Sequence, residues 1–161
     1  MKMNKKVIGL VLVGMMSLSV VGCGNSEVEY QEPQVQQEQT VDNYNVLLDI
    51  TKDLEYYNTL NEKCLSISES TDYNSRVGIE NAYNEFYNLL HELRDYENCY
   101  ETNELKGYLL NALTSAVEML DYMYQGDVYR AEKALTEFQK YTEMYCRECE
   151  NLTETYCSES I

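Results

Sequence analysis

Residues 126–156 read GDVYRAEKALTEFQKYTEMYCRECENLTETY. Within them Val128, Ala131, Leu135, Phe138, Thr142, Tyr145, Cys149, Leu152 and Tyr156 recur at strictly alternating intervals of three and four. An α-helix turns once every 3.6 residues, so these positions share one face and the charged residues fall on the others. The opening dipeptide agrees with that reading. Glycine adopts the left-handed conformation that ends a preceding helix, and the carboxylate of Asp127 accepts the first free N–H groups of the next one. A helix this long with one apolar face needs partner helices to bury it, which sets the fold class as all-α.

Upstream, the same periodicity appears three more times and no convincing period-two stretch is present. Residues 102–124 line up Leu105, Tyr108, Leu109, Ala112, Leu113, Ala116, Leu120 and Met123. Residues 72–98 line up Ile79, Ala82, Tyr83, Phe86, Leu89, Leu90 and Leu93. Residues 42–67 place Leu47, Ile50, Leu54, Tyr57 and Cys64 on one stripe, with Leu60 and Ile67 beside it. The hydroxyl- and carboxyl-rich cluster at 68–72 reads as the cap between the first two helices, and Thr102 as the cap of the third, with Glu104 in its first turn. Short connections make sequential helices antiparallel neighbours, so the expectation is an up-down-up-down four-helix bundle over residues 42–161. The alternative is three packed helices with the first loosely attached. Gly78 and Gly107 each weaken a helix by about 1 kcal/mol, in early turns where fraying is cheap.

Ahead of the bundle, residues 24–41 (GNSEVEYQEPQVQQEQTV) are polar and hold the chain's one proline, Pro33. With no apolar stripe, residues 23–41 read as a flexible, disordered tether. Fully extended, at about 3.3 Å per residue, it would span several tens of ångströms. Before it, Lys2, Lys5 and Lys6 precede an uncharged run over residues 7–22. That is the charged and hydrophobic layout of an export signal, too short for a lasting transmembrane span of about 20 residues. The run ends in Val20-Val21-Gly22-Cys23, which resembles the lipobox of bacterial lipoproteins, with Val20 where leucine is the common residue. The resemblance implies a signal peptide at 1–22, cleavage before Cys23, and a diacylglycerol on its thiol. Two acyl chains at about 0.8 kcal/mol per buried methylene hold a protein durably on a bilayer. The Tyr-, Asn- and Glu-rich remainder is similar to small helical lipoproteins of Gram-positive bacteria. The expected location is therefore the extracytoplasmic face of the cell membrane.

The whole chain carries 12 basic and 28 acidic residues, a formal charge of −16. Removing the signal takes three basic residues and no acidic one, leaving nine against 28, or −19. Such a surface repels nucleic acid and anionic headgroups, so neither is an expected partner. Sixteen tyrosines against two phenylalanines and no tryptophan exceed what one small core can bury with every hydroxyl satisfied. Some tyrosines are therefore expected at the surface.

Five cysteines follow Cys23: Cys64, Cys99, Cys146, Cys149 and Cys157. Export permits disulfides, and an odd number leaves at least one thiol free or paired elsewhere. In the expected topology Cys99, Cys149 and Cys157 share one end and Cys64 lies towards the other. The candidate bridge is Cys99–Cys157, with Cys99–Cys149 second and Cys64 unpaired. Cys146-Arg147-Glu148-Cys149 is a C-x-x-C without the strand-to-helix setting that makes such motifs redox-active. It reads as structural thiols or a disulfide. A zinc site from Cys99, Cys146, Cys149 and Cys157, or a redox couple of Cys146 and Cys149, are the alternatives.

His91 is the one histidine, beside the Leu89-Leu90-Leu93 stripe and without an adjacent nucleophile or second ligand. Glu80, Glu85, Glu92 and Glu97 read as a solvated face. No phosphate loop, G-x-S-x-G, H-E-x-x-H or Glu-x-x-His motif is present, so neither an enzyme nor a bound cofactor is expected. The leading functional expectation is a non-catalytic interaction module of the cell envelope, suited to a basic partner protein. A small-ligand or metal-binding lipoprotein is the second, its pocket placed near Thr142, Tyr145 and Cys149, where polar groups enter the apolar stripe. A thiol redox protein is the third.

Overall fold

The computed structural model describes residues 37–157, and the side chains over 45–156. The signal, Cys23, the tether up to residue 36 and the Cys157 side chain lie outside the described residues. Four helices make up the described chain: α1 (Gln37–Ser70), α2 (Arg76–Asp95), α3 (Asn103–Gln125) and α4 (Val128–Cys157). A single 3₁₀ turn, Tyr100–Thr102, connects α2 to α3. No strand occurs among the described residues, and the fold is an all-α bundle. No described helix is long and apolar enough to cross a membrane. Helix α1 takes in residues 37–41, which composition assigns to the tether.

The buried face of α1 is Ile50, Asp53, Tyr57, Leu60, Cys64 and Ile67. These alternate by three and four as regularly as the stripe on α4. The face is thus centred on Leu60 and Ile67 rather than flanked by them, and Leu54 is only partly buried. Helix α3 is the central element, with Leu105, Leu109, Ala112, Leu113, Ser115, Ala116, Val117, Met119 and Leu120 all buried. It comes closest to α4. Ala112 and Ala116 on α3 and Ala131 and Ala134 on α4 are buried small residues, the type that lets backbones approach. Helix α1 makes few close backbone approaches and is held instead by large side chains, with Tyr57 and Leu60 wholly buried.

Cross-helix contacts run in opposite chain directions along each consecutive pair they join. Lys63 of α1 pairs with Glu92 of α2 at 2.8 Å, while Asp53, earlier on α1, meets Tyr96 and Cys99, later in the chain. The Arg76 guanidinium lies 4.2 Å from the Tyr124 ring centre, joining the start of α2 to the end of α3. At the other end of that pair the Lys106 ammonium donates to the carbonyls of Arg94 and Tyr96. Those are carbonyls that a helix terminus leaves unpaired, and a cation also suits the negative end of the α2 dipole.

The helix ends follow local chemistry. Gly126 is left-handed at φ 81°, and the Asp127 N–H donates to the Tyr122 carbonyl at 2.9 Å, a Schellman closure. Asp127 Oδ1 accepts from the Arg130 N–H at 3.1 Å, as the Gly-Asp pair leads one to expect. The other caps differ from expectation. Ser68, Ser70 and Thr71 donate back to the carbonyls of Cys64 and Ile67, so the hydroxyl cluster prolongs α1 to Ser70. Ser75 caps α2, its hydroxyl accepting from the Gly78 N–H at 3.3 Å. Thr102 precedes α3 but makes no side-chain cap, because its hydroxyl is engaged elsewhere.

Candidate functional site

The Thr102 hydroxyl is directed at Asp53. Its Oγ1 donates to Asp53 Oδ2 at 2.6 Å, the Cys99 N–H donates to the same oxygen at 2.9 Å, and the Tyr96 hydroxyl donates to Oδ1 at 2.7 Å. Asp53 is 2% exposed, and none of the described ion pairs includes it. Burial pushes its carboxyl up, but the hydrogen bonds from Thr102, Tyr96 and Cys99 together outweigh burial and hold it below the ordinary value of 3.8. The Tyr96 ring stacks on Tyr56 with centroids 3.8 Å apart, and Tyr57 meets both rings edge-on. Asn98 Nδ2 donates to the Cys99 carbonyl, Thr102 Oγ1 and Asn103 Oδ1. The buried carboxylate thus ties the whole α2–α3 connection to the middle of α1. Three protein donors and burial close it off, which makes it a structural latch rather than a base open to substrate. In the sequence its signal is an aspartate at a position where the three-four alternation of α1 demands an apolar residue.

Thr142 and Tyr145 line a small cavity. At about 20 Å³, room for one ordered water, it lies where α1 faces α3 and α4. Asn61 and Cys64 of α1, Leu113 of α3, and Thr142, Tyr145 and Cys146 of α4 are among its walls. Cys146, not Cys149, supplies the α4 thiol. Tyr145 is 6% exposed, and its hydroxyl has no hydrogen-bond partner. Burial first, then Cys149, pushes that hydroxyl far above its ordinary range.

Cys64, Cys99, Cys146 and Cys149 are free thiols here. Cys64 shares the cavity lining with Thr142, Tyr145 and Cys146 of α4. Burial pushes its thiol up to about 12. Burial likewise raises Cys149 to about 11, and with Glu150 and Glu143 raises Cys146. Burial and the adjoining Asp53 carboxylate raise Cys99, against the pull of its contact with Thr102. The thiolate is the reactive form of cysteine, so the C-x-x-C is poorly placed for redox work at neutral pH. Among the described residues no three His, Cys, Asp or Glu side chains are gathered as metal ligands, Cys99, Cys146 and Cys149 included. The Cys99–Cys157 pairing involves a side chain outside the described residues.

His91 extends an aromatic ladder on the outer face of α2. Tyr83 and Tyr87 are nearly parallel with centroids 6.0 Å apart, and the His91 ring sits 4.5 Å from Tyr87. Tyr83 packs against the core edge, while Tyr87 is 43% exposed. Glu80, Glu85 and Glu92 are exposed on the same helix, as is Glu97 beyond its end.

No family model, curated protein or solved structure matches the chain.

The Asp53 latch is sealed by its own donors. The cavity is small and uncharged. The α2 ladder reaches solvent at Tyr87, and Glu80 lies on the same side of the helix. Sequence reasoning placed Thr142 and Tyr145 at the cavity and missed both Asp53 and the ladder, whose members span nine residues at a spacing of four.

Proposed function

We propose that the protein is a lipid-anchored module on the extracytoplasmic face of a bacterial membrane, whose helical domain docks a basic envelope protein and performs no catalysis. The lipobox-like Val20-Val21-Gly22-Cys23 supports the anchor. The observation that carries the docking role is the solvent-facing Tyr83–Tyr87–His91 ladder. Rings already stacked on one another lose little freedom when a partner covers them, and tyrosine supplies much contact area for few rotatable bonds. A lysine or arginine of the partner would meet ring faces and the carboxylate of Glu80, which lies on the same side of the helix, together. Charge of the opposite sign also speeds encounter with a surface this acidic.

The anchor and the docking face are tested separately. Cys23→Ala should abolish lipid attachment and leave the protein unprocessed or released; wild-type fractionation and mobility in that variant would remove the anchor from the proposal. For docking, a photoreactive amino acid at position 87 should crosslink one basic envelope protein in living cells, and Tyr83→Ala should reduce the adduct. Equal adducts from position 87 and from Lys133 on α4 would mean chance collisions and would overturn the docking face.

A further inference from the structure

Four buried tyrosine hydroxyls among the described residues lack a hydrogen bond, on Tyr56, Tyr57, Tyr73 and Tyr145. That of Tyr145 belongs to a side chain that walls the cavity facing α1. Asn61 across the seam and Cys149 on the same helix lie within polar reach of the hydroxyl, but neither meets it with hydrogen-bonding geometry. Buried polar groups are almost always satisfied, so an orphan beside a void marks a place for a molecule that supplies the partner. Leu60, Leu109, Leu113 and Phe138 give the cavity apolar walls, and no charged side chain lines it. Across the seam it occupies, the α1 and α4 backbones do not come close.

We propose that the α1–α4 seam is a binding site for a small neutral molecule carrying one hydroxyl or carbonyl group, which pairs with Tyr145 and enters in place of a bound water. An ion is a poor occupant, because nothing charged would compensate its desolvation. A sugar or nucleotide brings more polar atoms than Asn61, Thr142 and Tyr145 can satisfy. A ligand with an apolar body and a single polar atom matches the walls on one side and the orphan hydroxyl on the other. Binding widens the seam by moving α1, which large side chains rather than close backbone contact hold in place.

The test titrates the purified full-length protein with phenol and, in parallel, with toluene, reading the methyl resonances of Leu60, Leu109 and Leu113 by NMR. Phenol is expected to shift all three, and toluene to bind roughly 3- to 10-fold more weakly because it leaves the hydroxyl unpaired. Tyr145→Phe should fold normally and erase the difference between the two probes, and Ala112→Leu should fill the cavity and abolish both. Unshifted leucines at about 10 mM phenol would overturn the proposal, since a Kd far above that reflects no specific site. An unchanged phenol-to-toluene ratio in Tyr145→Phe would overturn it equally. That variant keeps the test decisive even if Ala112→Leu does not fold.

Discussion

A methyl group added to Gly78 and one added to Gly107 meet different surroundings. At Gly107 nothing lies within 4 Å of the new atom. At Gly78 it would run into the backbone carbonyl of Asp72, in the turn where Asp72 also accepts from the N–H groups of Asn74 and Ser75. Helix propensity alone gives alanine about 1 kcal/mol over glycine at both positions. Gly107→Ala should therefore stabilise the fold by about 0.5–1 kcal/mol in urea unfolding, as an unstrained Gly→Ala change does. Gly78→Ala should destabilise it by about 1–3 kcal/mol, because overpacking against backbone outweighs propensity. Equal gains at both sites would show that the α1–α2 turn yields. The sequence shows two glycines in early helical turns; only the path of the preceding turn separates them.

Asp53 presents a second contrast at the same scale. Its folded-state pKa is depressed, so its contribution is fully present above the unfolded value of 3.8 and is lost as pH falls through the lower folded value. Wild type should lose stability steeply below about pH 4, and Asp53→Asn should flatten that limb of the pH profile. At neutral pH the same change should cost about 2–4 kcal/mol, since an amide cannot accept from Tyr96, Cys99 and Thr102 as a carboxylate does. A pH profile that Asp53→Asn leaves unaltered would remove the latch from the account of stability.

The four helices were legible in the sequence because each carries its own apolar face, a local property that needs no knowledge of partners. The rotation of α1's face was less so. Leu54 looks as apolar as Leu60, and the choice between them was made by Asp53, whose partners lie more than forty residues downstream. Caps divided along the same line. Gly126-Asp127 acts through bonds within six residues, whereas Thr102 abandons its cap for a distant carboxylate. The Gly126 closure should thus behave as local chemistry dictates. Gly126→Ala forces a Cβ residue to φ 81° with no room problem of its own, so its cost should be purely conformational, about 1–2 kcal/mol. Gly126→Asn should cost less, as asparagine tolerates the left-handed region. Thermal melts of the two variants decide this; equal losses would point to a packing role for the glycine that its open surroundings do not show.

Across the whole molecule, charge opposes what the core supplies. The three ion pairs among the described residues, Lys63–Glu92, Arg130–Asp127 and Lys140–Glu137, are all exposed, the kind that contributes little. They leave a chain of 28 acidic and 12 basic residues with a large surplus of like charge. At about 0.01 M salt that repulsion acts over about 30 Å, comparable to the roughly 30–50 Å lengths of these helices, whereas at about 0.15 M it reaches only about 8 Å. Raising sodium chloride from about 0.01 to 0.5 M should therefore raise Tm by several degrees, roughly the effect of 1 kcal/mol on a domain of this size. Sodium chloride rather than sulfate is the right salt, because sulfate strengthens apolar burial as well. Mild acid should act in the same direction by neutralising surface carboxylates, until Asp53 protonates and the sign reverses. The two effects separate by their response to salt. Surface repulsion is screened, but a carboxylate enclosed by Tyr96, Cys99 and Thr102 is not. In 0.5 M salt, then, the stabilising rise on mild acidification should vanish while the loss at lower pH persists. A Tm independent of salt at neutral pH would mean that the acidic residues lie too far apart to repel, and would weaken the case that this surface was selected to meet a basic partner.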